Sequence, residues 1–452
     1  MDWAPESSWT GAHIAPLVHE HSTHQKLLAI SLDAPPVGAK SLNAFEQVIT
    51  FADGSVVASL GEVERIETSG KHRFLEVKQK AEELFKRISL QENLAVCKSR
   101  LRLLGGFSFT DKPHDGKWSA FPNTLFWLPR FTYTQKADTA SITCITTFKN
   151  KDQDFQFLKT LAASLGQSGS SPSAETHCIK KTPTPTLRSS DEFSSWSNMI
   201  KQVVELIDKN EFSKVVLSRQ HEIDLAEHFS PKVAFQRLVT KNENGSHFRF
   251  KHGDSCFLGS SPEKLISKVG HHVETEAIAG TIANDVEQFE SKLESSAKDI
   301  VEHQFVVDLI QGILADTCES LSVEGPTIKN LRHVAHLKSA FKGVLKTDTH
   351  ILDLVEKLHP TPAMAGVPTK KALETIEELE PHSRGWYASP VGWFDANGDG
   401  EFSVAIRSAL IADSKATLFA GGGIVKKSLP EKEFHETELK FSTIKEVLGI
   451  DF

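Results

Sequence analysis

Cysteine is scarce in this chain, and the cysteines that it has stand far apart. The 452 residues contain five cysteines, an odd number, and none of them forms a C-x-x-C pair. A disulfide framework needs paired cysteines and a structural zinc site needs closely spaced ligands, so the pattern argues against both. We expect reduced cysteines that act as small core or surface residues. They are Cys97, Cys144, Cys178, Cys256 and Cys318.

Long apolar runs and an excess of basic residues are also lacking. The formal net charge is −8, so the composition gives no basic surface of the kind that binds nucleic acid. Apolar runs such as Val215 to Leu217 are far too short to span a membrane. The first residues, Met1-Asp-Trp-Ala-Pro-Glu6, have neither the cationic start nor the apolar core of a signal peptide. We therefore predict a cytoplasmic protein that binds neither nucleic acid nor membrane.

One segment differs in composition from the rest of the chain. Residues 166–190 are rich in Ser, Thr, Pro and Gly, which predicts a flexible connection. This connection separates an amino-terminal part, residues 1–165, from residues 191–452, which hold every motif described below. The length allows two or three average domains, or one large α+β unit with an appended segment.

Apolar periodicity predicts mainly strands before the connection and both helices and strands after it. Glycine and proline turns around Gly105-Gly-Phe-Ser-Phe109 and Trp118 indicate packed antiparallel strands. The predicted helices cover residues 81–89, 193–210, 287–316, 369–379 and 431–448, and the predicted strands include those within 26–67, 404–411 and 417–419.

The stretch Phe212-Ser-Lys-Val-Val-Leu-Ser-Arg219 places a lysine at the start of a strand that reads as buried on both faces. Such a lysine either extends outward to solvent or is held where desolvation and neighbouring charges lower its pKa, so that it can act as a base. The stretch alone favours the outward position. The motifs downstream of it favour the base.

Glu302 and Glu436 are the candidate ligands for a hard cation. Each falls in a predicted helix, and magnesium commonly takes only one or two protein carboxylates and completes its shell with water and an anionic substrate. Either residue alone also fits a solvated helix position. Glu263, in a Ser-Ser-Pro-Glu turn, fits a surface or capping carboxylate as well as a catalytic one.

Two other motifs suggest a ligand site, but the residues around them argue against a calcium loop in the first and a dinucleotide-binding site in the second. Asp395-Ala-Asn-Gly-Asp-Gly-Glu401 resembles the start of a calcium loop, but its twelfth position is Ile406 where a bidentate glutamate is needed. A hairpin turn is the better reading. Gly421-Gly-Gly423 is not a dinucleotide fingerprint. Glycines after a strand do allow backbone N–H groups to approach an anion closely.

Taken together, these segments resemble the chorismate-utilising enzymes and, among them, the isochorismate synthases. The match runs through many motifs in the family's order over residues 193–452, and the segment from Gly105 to Trp118 resembles the family's amino-terminal part more loosely. The resemblance implies an α+β fold, a large two-layer antiparallel β-sandwich flanked by helices. It also implies a deep cleft that binds chorismate together with Mg²⁺. The motifs are Gly259-Ser-Ser-Pro-Glu263, Ala279-Gly-Thr281, Lys298-Asp-Ile-Val-Glu-His303, Leu358-His-Pro-Thr-Pro-Ala363, Ala420-Gly-Gly-Gly-Ile-Val425 and Glu433-Phe-His-Glu-Thr-Glu-Leu-Lys440.

The resemblance also implies a role for each matching residue. Lys214 matches the base that activates water for attack at C2 of chorismate, and Glu263 matches the acid that protonates the departing C4 hydroxyl. Glu302 and Glu436 match the magnesium ligands. The positions that match the substrate pocket are Gly280, Thr281, His336, Arg407, Gly421, Gly422, Gly423 and Lys440.

The sister activities of the family differ at single positions. Aminodeoxychorismate synthases carry a lysine that attacks the ring where this chain has Ala279, and anthranilate synthases lack the lysine at the Lys214 position. We therefore expect no glutaminase partner. A salicylate synthase, which goes on to eliminate pyruvate, and a catalytically silent chorismate-binding module stay as alternatives. Ser389 stands where the family commonly has glycine, so it either narrows the cleft or lies in the turn.

Two further expectations concern pathway and assembly. The size of the amino-terminal part resembles that of menaquinone-pathway members more than that of the shorter siderophore-pathway members. We therefore favour menaquinone biosynthesis. No heptad repeat and no long exposed apolar face appears, so we predict a monomer.

Overall fold

A computed structural model describes residues 26–90, 98–112, 114, 116–166, 188–242 and 244–450. Most of the predicted connection, residues 166–190, lies outside these ranges, so the proposed division of the chain at that connection stays a prediction. Cys97 and Cys178 also lie outside them. Cys144, Cys256 and Cys318 are free and buried, as expected of small core residues.

Strands form most of the described fold. Within the described residues they are β1 (Leu27–Ala34), β2 (Gln47–Thr50), β3 (Val56–Thr68), β4 (Ile88–Leu90), β5 (Arg102–Phe107), β6 (Thr124–Lys136), β7 (Thr139–Thr147), β8 (Lys214–Asp224), β9 (Ser246–His252), β10 (Ser255–Ser261), β11 (Lys264–Val269), β12 (His272–Ala283), β13 (Cys318–Asn330), β14 (Val334–Leu345), β15 (Gly366–Val367), β16 (Pro390–Asp395), β17 (Gly400–Val404), β18 (Ser408–Ala412) and β19 (Lys415–Ile424).

The α-helices lie between these strands. Over the same residues they are α1 (Arg73–Lys86), α2 (Lys151–Gly166), α3 (Arg188–Asp208), α4 (Pro231–Lys241), α5 (Phe289–Glu294), α6 (Ala297–Thr317), α7 (Ile351–Leu358), α8 (Thr369–Leu379) and α9 (Pro430–Leu448). None of the described helices combines the length and the apolar character that crossing a membrane requires.

The described strands pair into one large sheet, antiparallel except where β1 meets β4. The sheet curves back on itself. Trp127 of β6 stacks on Phe250 of β9 with ring centroids 5.8 Å apart, although β3 and β2 separate these strands in the pairing order. Strands that far apart in a flat sheet would be about 14 Å distant. A large antiparallel sheet with flanking helices was predicted, and that architecture is confirmed.

The curvature places the core between facing parts of the sheet. A cluster of aromatic rings fills this space, and its members come from both sides of the connection. Phe126 of β6, for example, meets Phe394 of β16 with ring centroids 5.2 Å apart. Both parts of the chain therefore contribute to one apolar core, whose burial is the main driving force of folding.

Several predicted elements agree with the structure and others need correction. The helix over residues 369–379 is right at both ends, and the helices over 193–210 and 431–448 are right to within a few residues. The helix predicted over residues 81–89 is instead α1, which ends at Lys86, because the chain turns there into β4. The prediction of one helix over 287–316 is wrong.

That segment contains two helices, because Ser296 interrupts it. The Ser296 side chain accepts a hydrogen bond from the backbone N–H of Asp299 and caps α6, while α5 ends before it. A serine that satisfies a free N–H group starts a new helix more favourably than it continues an old one. The cap fixes where α6 begins and therefore which way Glu302 points.

The strand predicted over residues 404–411 is also wrong as one element. It is split into β17 and β18 because Arg407 has a left-handed backbone with φ of 50°. The strand predicted over residues 417–419 is longer, and the three glycines from Gly421 lie within β19 and not after it. The left-handed backbone of Arg407, a non-glycine residue, carries strain. Structures tolerate such strain mainly at functional sites.

Candidate active site

A cavity of about 70 Å³ lies where distant parts of the sheet meet α6 and α9. It collects most of the residues that the sequence singled out. Of the twelve predicted site residues, two, Lys214 and Gly422, are absent from its lining, and both lie against residues that contact it. The ten in the lining are Glu263, Gly280, Thr281, Glu302, His336, Arg407, Gly421, Gly423, Glu436 and Lys440.

Lys214 is completely buried at the first position of β8. Its Nζ donates a hydrogen bond to Oε1 of Glu302 at 2.7 Å, and Glu302 contributes to the cavity wall. The alternative of a lysine that extends outward to solvent is therefore excluded. A buried cation without a carboxylate partner would be strongly unfavourable, so this ion pair accounts for the charge of Lys214 in the fold.

The glycines of β19 give the site its shape. A Cβ atom on Gly423 would lie 2.6 Å from Oε1 of Glu302 and 2.8 Å from Cε of Lys214. A Cβ atom on Gly422 would lie 3.3 Å from Oε2 of Glu433. The missing side chains are what allows these carboxylates to lie against the backbone of the strand. The glycines thus make room for the charged groups and do not form a turn.

Three carboxylates from two helices surround this strand, and each is paired with a lysine. Glu302 binds Lys214, Glu436 binds Lys440 at 2.6 Å, and Glu433 binds Lys298 at 3.1 Å. Burial and the neighbouring Glu436 carboxylate raise the pKa of Glu433. Burial opposes ionisation of Glu436, but Lys440 outweighs it and holds the pKa of Glu436 below its usual range.

Glu433 is a site residue that the sequence reasoning missed. It precedes Glu436 by three positions in α9, and residues with that spacing share a helix face, so the signal was present. Its Oε2 atom is buried and has no hydrogen-bond partner. An orphaned carboxylate oxygen beside two further carboxylates fits a hard cation, which binds oxygen ligands.

No ready-made cage of three or more His, Cys, Asp or Glu side chains is found in the described part of the chain. Magnesium does not require one, since it commonly keeps several waters and takes only one or two protein carboxylates. The donor set formed by Glu302, Glu436 and the nearby Glu433 therefore fits Mg²⁺ better than zinc, which prefers nitrogen and sulfur ligands.

Glu263 differs in its protonation from the carboxylates that could bind a metal ion. It follows β10 in a turn, is 3% exposed and contributes to the cavity wall. Burial raises its pKa to about 8, with smaller opposing effects from Lys329 and Lys214. At neutral pH this carboxyl group therefore holds its proton and can donate it, which a surface or capping glutamate would not do.

His336 and Arg407 form a fixed polar pair on the cavity wall. His336 Nδ1 lies 2.9 Å from the carbonyl oxygen of Gly280, which can only accept, so Nδ1 carries the proton. Nε2 is then free to accept from Nη2 of Arg407 at 3.3 Å. Burial and the Arg407 charge lower the pKa of His336 to about 3, so its ring is neutral. Thr281 contacts the same ring through its hydroxyl group.

A buried ion pair outside the cavity supports the strand that carries Lys214. Arg384 binds Glu380, donates to the carbonyl oxygen of Val216 at 2.7 Å, and leaves Glu380 to accept from the N–H of Ser218. Sequence reasoning missed this pair because its members are near each other in a loop but far from β8 in the chain. It locks the position of β8.

Ser389 and Asp395, for which the sequence allowed a role at a ligand site, stabilise turns of the backbone. Ser389 is fully buried, and its hydroxyl group lies 2.6 Å from the carbonyl oxygen of Phe107, so it fixes a turn and is not part of the cavity wall. Asp395 accepts hydrogen bonds from the N–H groups of Asn397 and Asp399 in the turn between β16 and β17. The hairpin predicted in place of a calcium loop is confirmed.

A second cavity of about 520 Å³ adjoins the first. The two share Pro262 and Arg407. The larger cavity is lined by polar side chains, among them Lys241, Arg332 and Asn330. Arg407 therefore lies at the boundary between the two cavities.

Comparison with protein families shows one matching model. Residues 20–449 match the family described as chorismate binding enzyme. The isochorismate synthase MenF of Bacillus subtilis is 32% identical over 359 residues, which cover 77% of this chain and 74% of that protein. The salicylate biosynthesis isochorismate synthase of Pseudomonas aeruginosa is 33% identical over 393 residues, 83% of this chain and 81% of that protein.

Solved structures of similar proteins share the fold. The menaquinone-specific isochorismate synthase MenF from Escherichia coli aligns with a TM-score of 0.75 over 96% of this chain and 97% of its own, at 24% identity. The structure described as a putative 2,3-dihydroxybenzoate-specific isochorismate synthase from Bacillus anthracis has a TM-score of 0.71 and 25% identity, covering 92% of this chain and all of that one.

Proposed function

This chain belongs to the chorismate-binding enzyme family, and on that premise we propose that it is an isochorismate synthase, which converts chorismate to isochorismate. The observation that carries the proposal is a fully buried amine, Lys214, bound to the cavity-wall residue Glu302, together with a second wall residue, Glu263, whose carboxyl group has a pKa of about 8. Addition of a hydroxyl at one ring carbon and loss of a hydroxyl at another need a base and an acid at separate points.

Lys214 would act as the base. When Nζ is unprotonated, it takes a proton from a water molecule, and the oxygen of that water bonds to C2 of chorismate. The contact between Lys214 and Glu302 orients Nζ toward the cavity wall formed by Gly423 and Glu302. The ion pair between Arg384 and Glu380 holds the strand in place behind it. A positioned base of this kind contributes about 10²–10⁴-fold to a rate.

Glu263 would act as the acid. As the C2–O bond forms, the ring double bonds shift and the C4–O bond breaks. The proton of Glu263 goes to the departing hydroxyl, which leaves as water. One water enters and one leaves, so the reaction is an isomerisation. A pKa of about 8 keeps this proton available at neutral pH, because a carboxyl group in an apolar site resists ionisation.

Glu302 and Glu436 would hold Mg²⁺, with Glu433 beside them. The bound ion would supply positive charge for a carboxylate of the substrate. The other groups that would bind the substrate carboxylates are side chains of the protein. Arg407 and Lys440 are cationic groups on the cavity wall, and a guanidinium group can bind a carboxylate through two parallel hydrogen bonds. The neutral ring of His336 holds Arg407 in place.

The neighbouring residues favour water over ammonia as the nucleophile. Ala279 lies in the cavity wall and cannot form a covalent bond with the ring, as the lysine of aminodeoxychorismate synthases does at the matching position. Lys214 is present where anthranilate synthases lack a lysine. We therefore propose an enzyme that acts without a glutaminase subunit.

The product distinguishes the remaining alternatives. Purified chain should be incubated with chorismate and Mg²⁺ and the products separated by chromatography, with Lys214→Met as the inactive control and Lys342→Met, at an exposed position of β14, as the matched active control. Isochorismate alone supports the proposal. Salicylate with pyruvate would identify a salicylate synthase, and unchanged chorismate would identify a silent binding module.

We also propose the menaquinone pathway as the destination of the product. The amino-terminal part supports this, and similarity extends both to a menaquinone enzyme and to enzymes named for salicylate and siderophore production. Growth of a menaquinone-deficient bacterial strain that lacks its own isochorismate synthase, restored by this chain while siderophore output stays unrestored, would support the assignment. The reverse pattern would contradict it.

A further inference from the structure

A small charged network lies behind Glu263, outside the groups assigned to base, acid, metal or substrate. Lys329 of β13 donates a hydrogen bond from Nζ to the carbonyl oxygen of Pro262, at 2.6 Å, and a second one to Oε2 of Glu276, at 2.9 Å. Lys338 of β14 binds the other carboxylate oxygen of Glu276 at 2.7 Å. Pro262 immediately precedes Glu263.

We propose that Lys329 and Glu276 are positioning residues for Glu263 in the reaction proposed above: Lys329 holds the backbone of its turn, and the two opposite charges set the electrostatic surroundings of its carboxyl group. The proposal rests on the function assigned in the preceding section, since it concerns the acid of that reaction.

The strand register explains why these side chains meet. Ile278 of β12 pairs with Lys338, and on the other side of β14 Lys329 pairs with His336. Side chains two residues apart on a strand share a face, so Glu276, Lys338 and Lys329 lie on the same face as His336. Two other residues of that face, Ile278 and His336, line the cavity.

The side chains of the network are shielded enough for their charges to act at short range. Lys329 is 14% exposed and Glu276 is 17% exposed. This is unusual for β13, most of whose residues are exposed. Burial favours the protonated form of Glu276, but Lys329 and Lys338 outweigh it and leave the pKa of Glu276 below its ordinary value. Glu276 therefore presents a negative charge to its surroundings.

The two charges act on Glu263 in opposite directions. Burial is the main reason for its high pKa; Lys329 lowers that pKa, Glu276 raises it, and Lys214 lowers it from β8. The other charged or titratable groups of the cavity wall are Glu302, His336, Tyr387, Arg407, Glu436 and Lys440. Because Lys329 also contacts the peptide before Glu263, it is the member of the network with both a mechanical and an electrostatic connection to the acid.

The test is the pH dependence of kcat/KM for isochorismate formation, whose alkaline limb reports loss of the proton of the acid. Lys329→Met should move that limb to higher pH, and Glu276→Gln should move it to lower pH, each by about half a unit or more. Lys329→Arg should restore the wild-type limb. Lys342→Met, on the same sheet but at an exposed position, should leave it unchanged.

The outcomes separate this inference from the proposed function. If the wild-type chain forms no isochorismate, the function fails. If it forms isochorismate and the two folded variants shift the limb in the same direction, or not at all, the positioning role fails and the function stands. If Lys329→Met does not fold, Lys329→Gln takes its place, because it removes the charge but keeps a side chain that can donate to Pro262. Its limb should move to higher pH, which is opposite to the shift that weaker burial of Glu263 would cause.

Discussion

Nζ of Lys214 lies 2.7 Å from Oε1 of Glu302, although 88 positions separate the two residues in the chain. The pair joins β8 to α6, and Glu302 is part of the cavity wall. It places a candidate base in direct contact with a candidate metal ligand. The same carboxylate oxygen would be 2.6 Å from a Cβ atom on Gly423. The close packing of β19, α6 and Lys214 therefore fixes their relative positions.

Lys214→Met should lower kcat by about 10²–10⁴-fold and leave chorismate binding largely intact, because it removes the base but keeps most of the side-chain volume. The measurement is the steady-state rate of isochorismate formation by folded protein, with circular dichroism as the check of folding. Lys342→Met serves as the control. Near-normal turnover by folded Lys214→Met would remove the base from the mechanism.

Glu302→Gln and Glu436→Gln should weaken Mg²⁺ binding and raise the KM for chorismate, because neutral amides are poorer ligands for a hard cation than carboxylates. Calorimetric titration with Mg²⁺ tests the first expectation without reference to activity. Glu374→Gln, at an exposed position of α8, should bind Mg²⁺ like the wild type. Full activity of the wild type in excess chelator would contradict the magnesium assignment.

Gly423→Ala should abolish activity, because the new Cβ atom would displace Glu302 and Lys214 from their present contact. Gly312→Ala offers a matched control in α6, where a Cβ atom meets nothing within 4 Å. The control should be active and about 0.5–1 kcal/mol more stable, since alanine is favoured over glycine within a helix. An active Gly423→Ala enzyme would show that the close packing at Glu302 is not required.

Glu263 should make the folded protein less stable as pH rises. Its pKa is about 8 in the fold against 4.5 for the ordinary group, so between these values the unfolded chain releases a proton that the folded chain retains. The free energy of unfolding should therefore decrease from pH 4.5 to pH 8, by at most about 1.4 kcal/mol per pH unit from this group.

Urea unfolding at several pH values tests this expectation. The slope should be shallower in Glu263→Gln than in the wild type. Glu401, whose pKa burial raises to about 7, acts in the same direction but is present in both proteins, so the difference between them isolates Glu263. Parallel slopes would mean that Glu263 is ionised in the folded protein at neutral pH.

Ammonium salts should not give an aminated ring product with this enzyme. Ala279 lines the cavity where a covalent lysine would be required, and Lys214 is suited to activating water. Chromatography of reactions with chorismate, Mg²⁺ and ammonium salts should show isochorismate alone. Anthranilate or aminodeoxychorismate formed at a comparable rate would overturn this prediction.

Local sequence patterns were sufficient to predict much of the fold. The apolar periodicity of α8 and the turn at Asp395 depend on interactions between near neighbours in the chain, and both were predicted well. The break at Ser296 and the left-handed backbone of Arg407 were not predicted. A capping hydrogen bond and a strained residue each override an apolar pattern that, considered alone, continues through them.

The amino-acid sequence by itself determined which residue types were available for the chemistry and the order in which they occur. It identified the lysine, the three helical and turn carboxylates and the glycine run, because their spacing matches a known set of motifs. Only the tertiary structure decided their environment. Burial of Lys214, the retained proton of Glu263, and the meeting of Lys329 with Pro262 depend on how a curved sheet brings distant strands together, and desolvation and charge act through space and not along the chain.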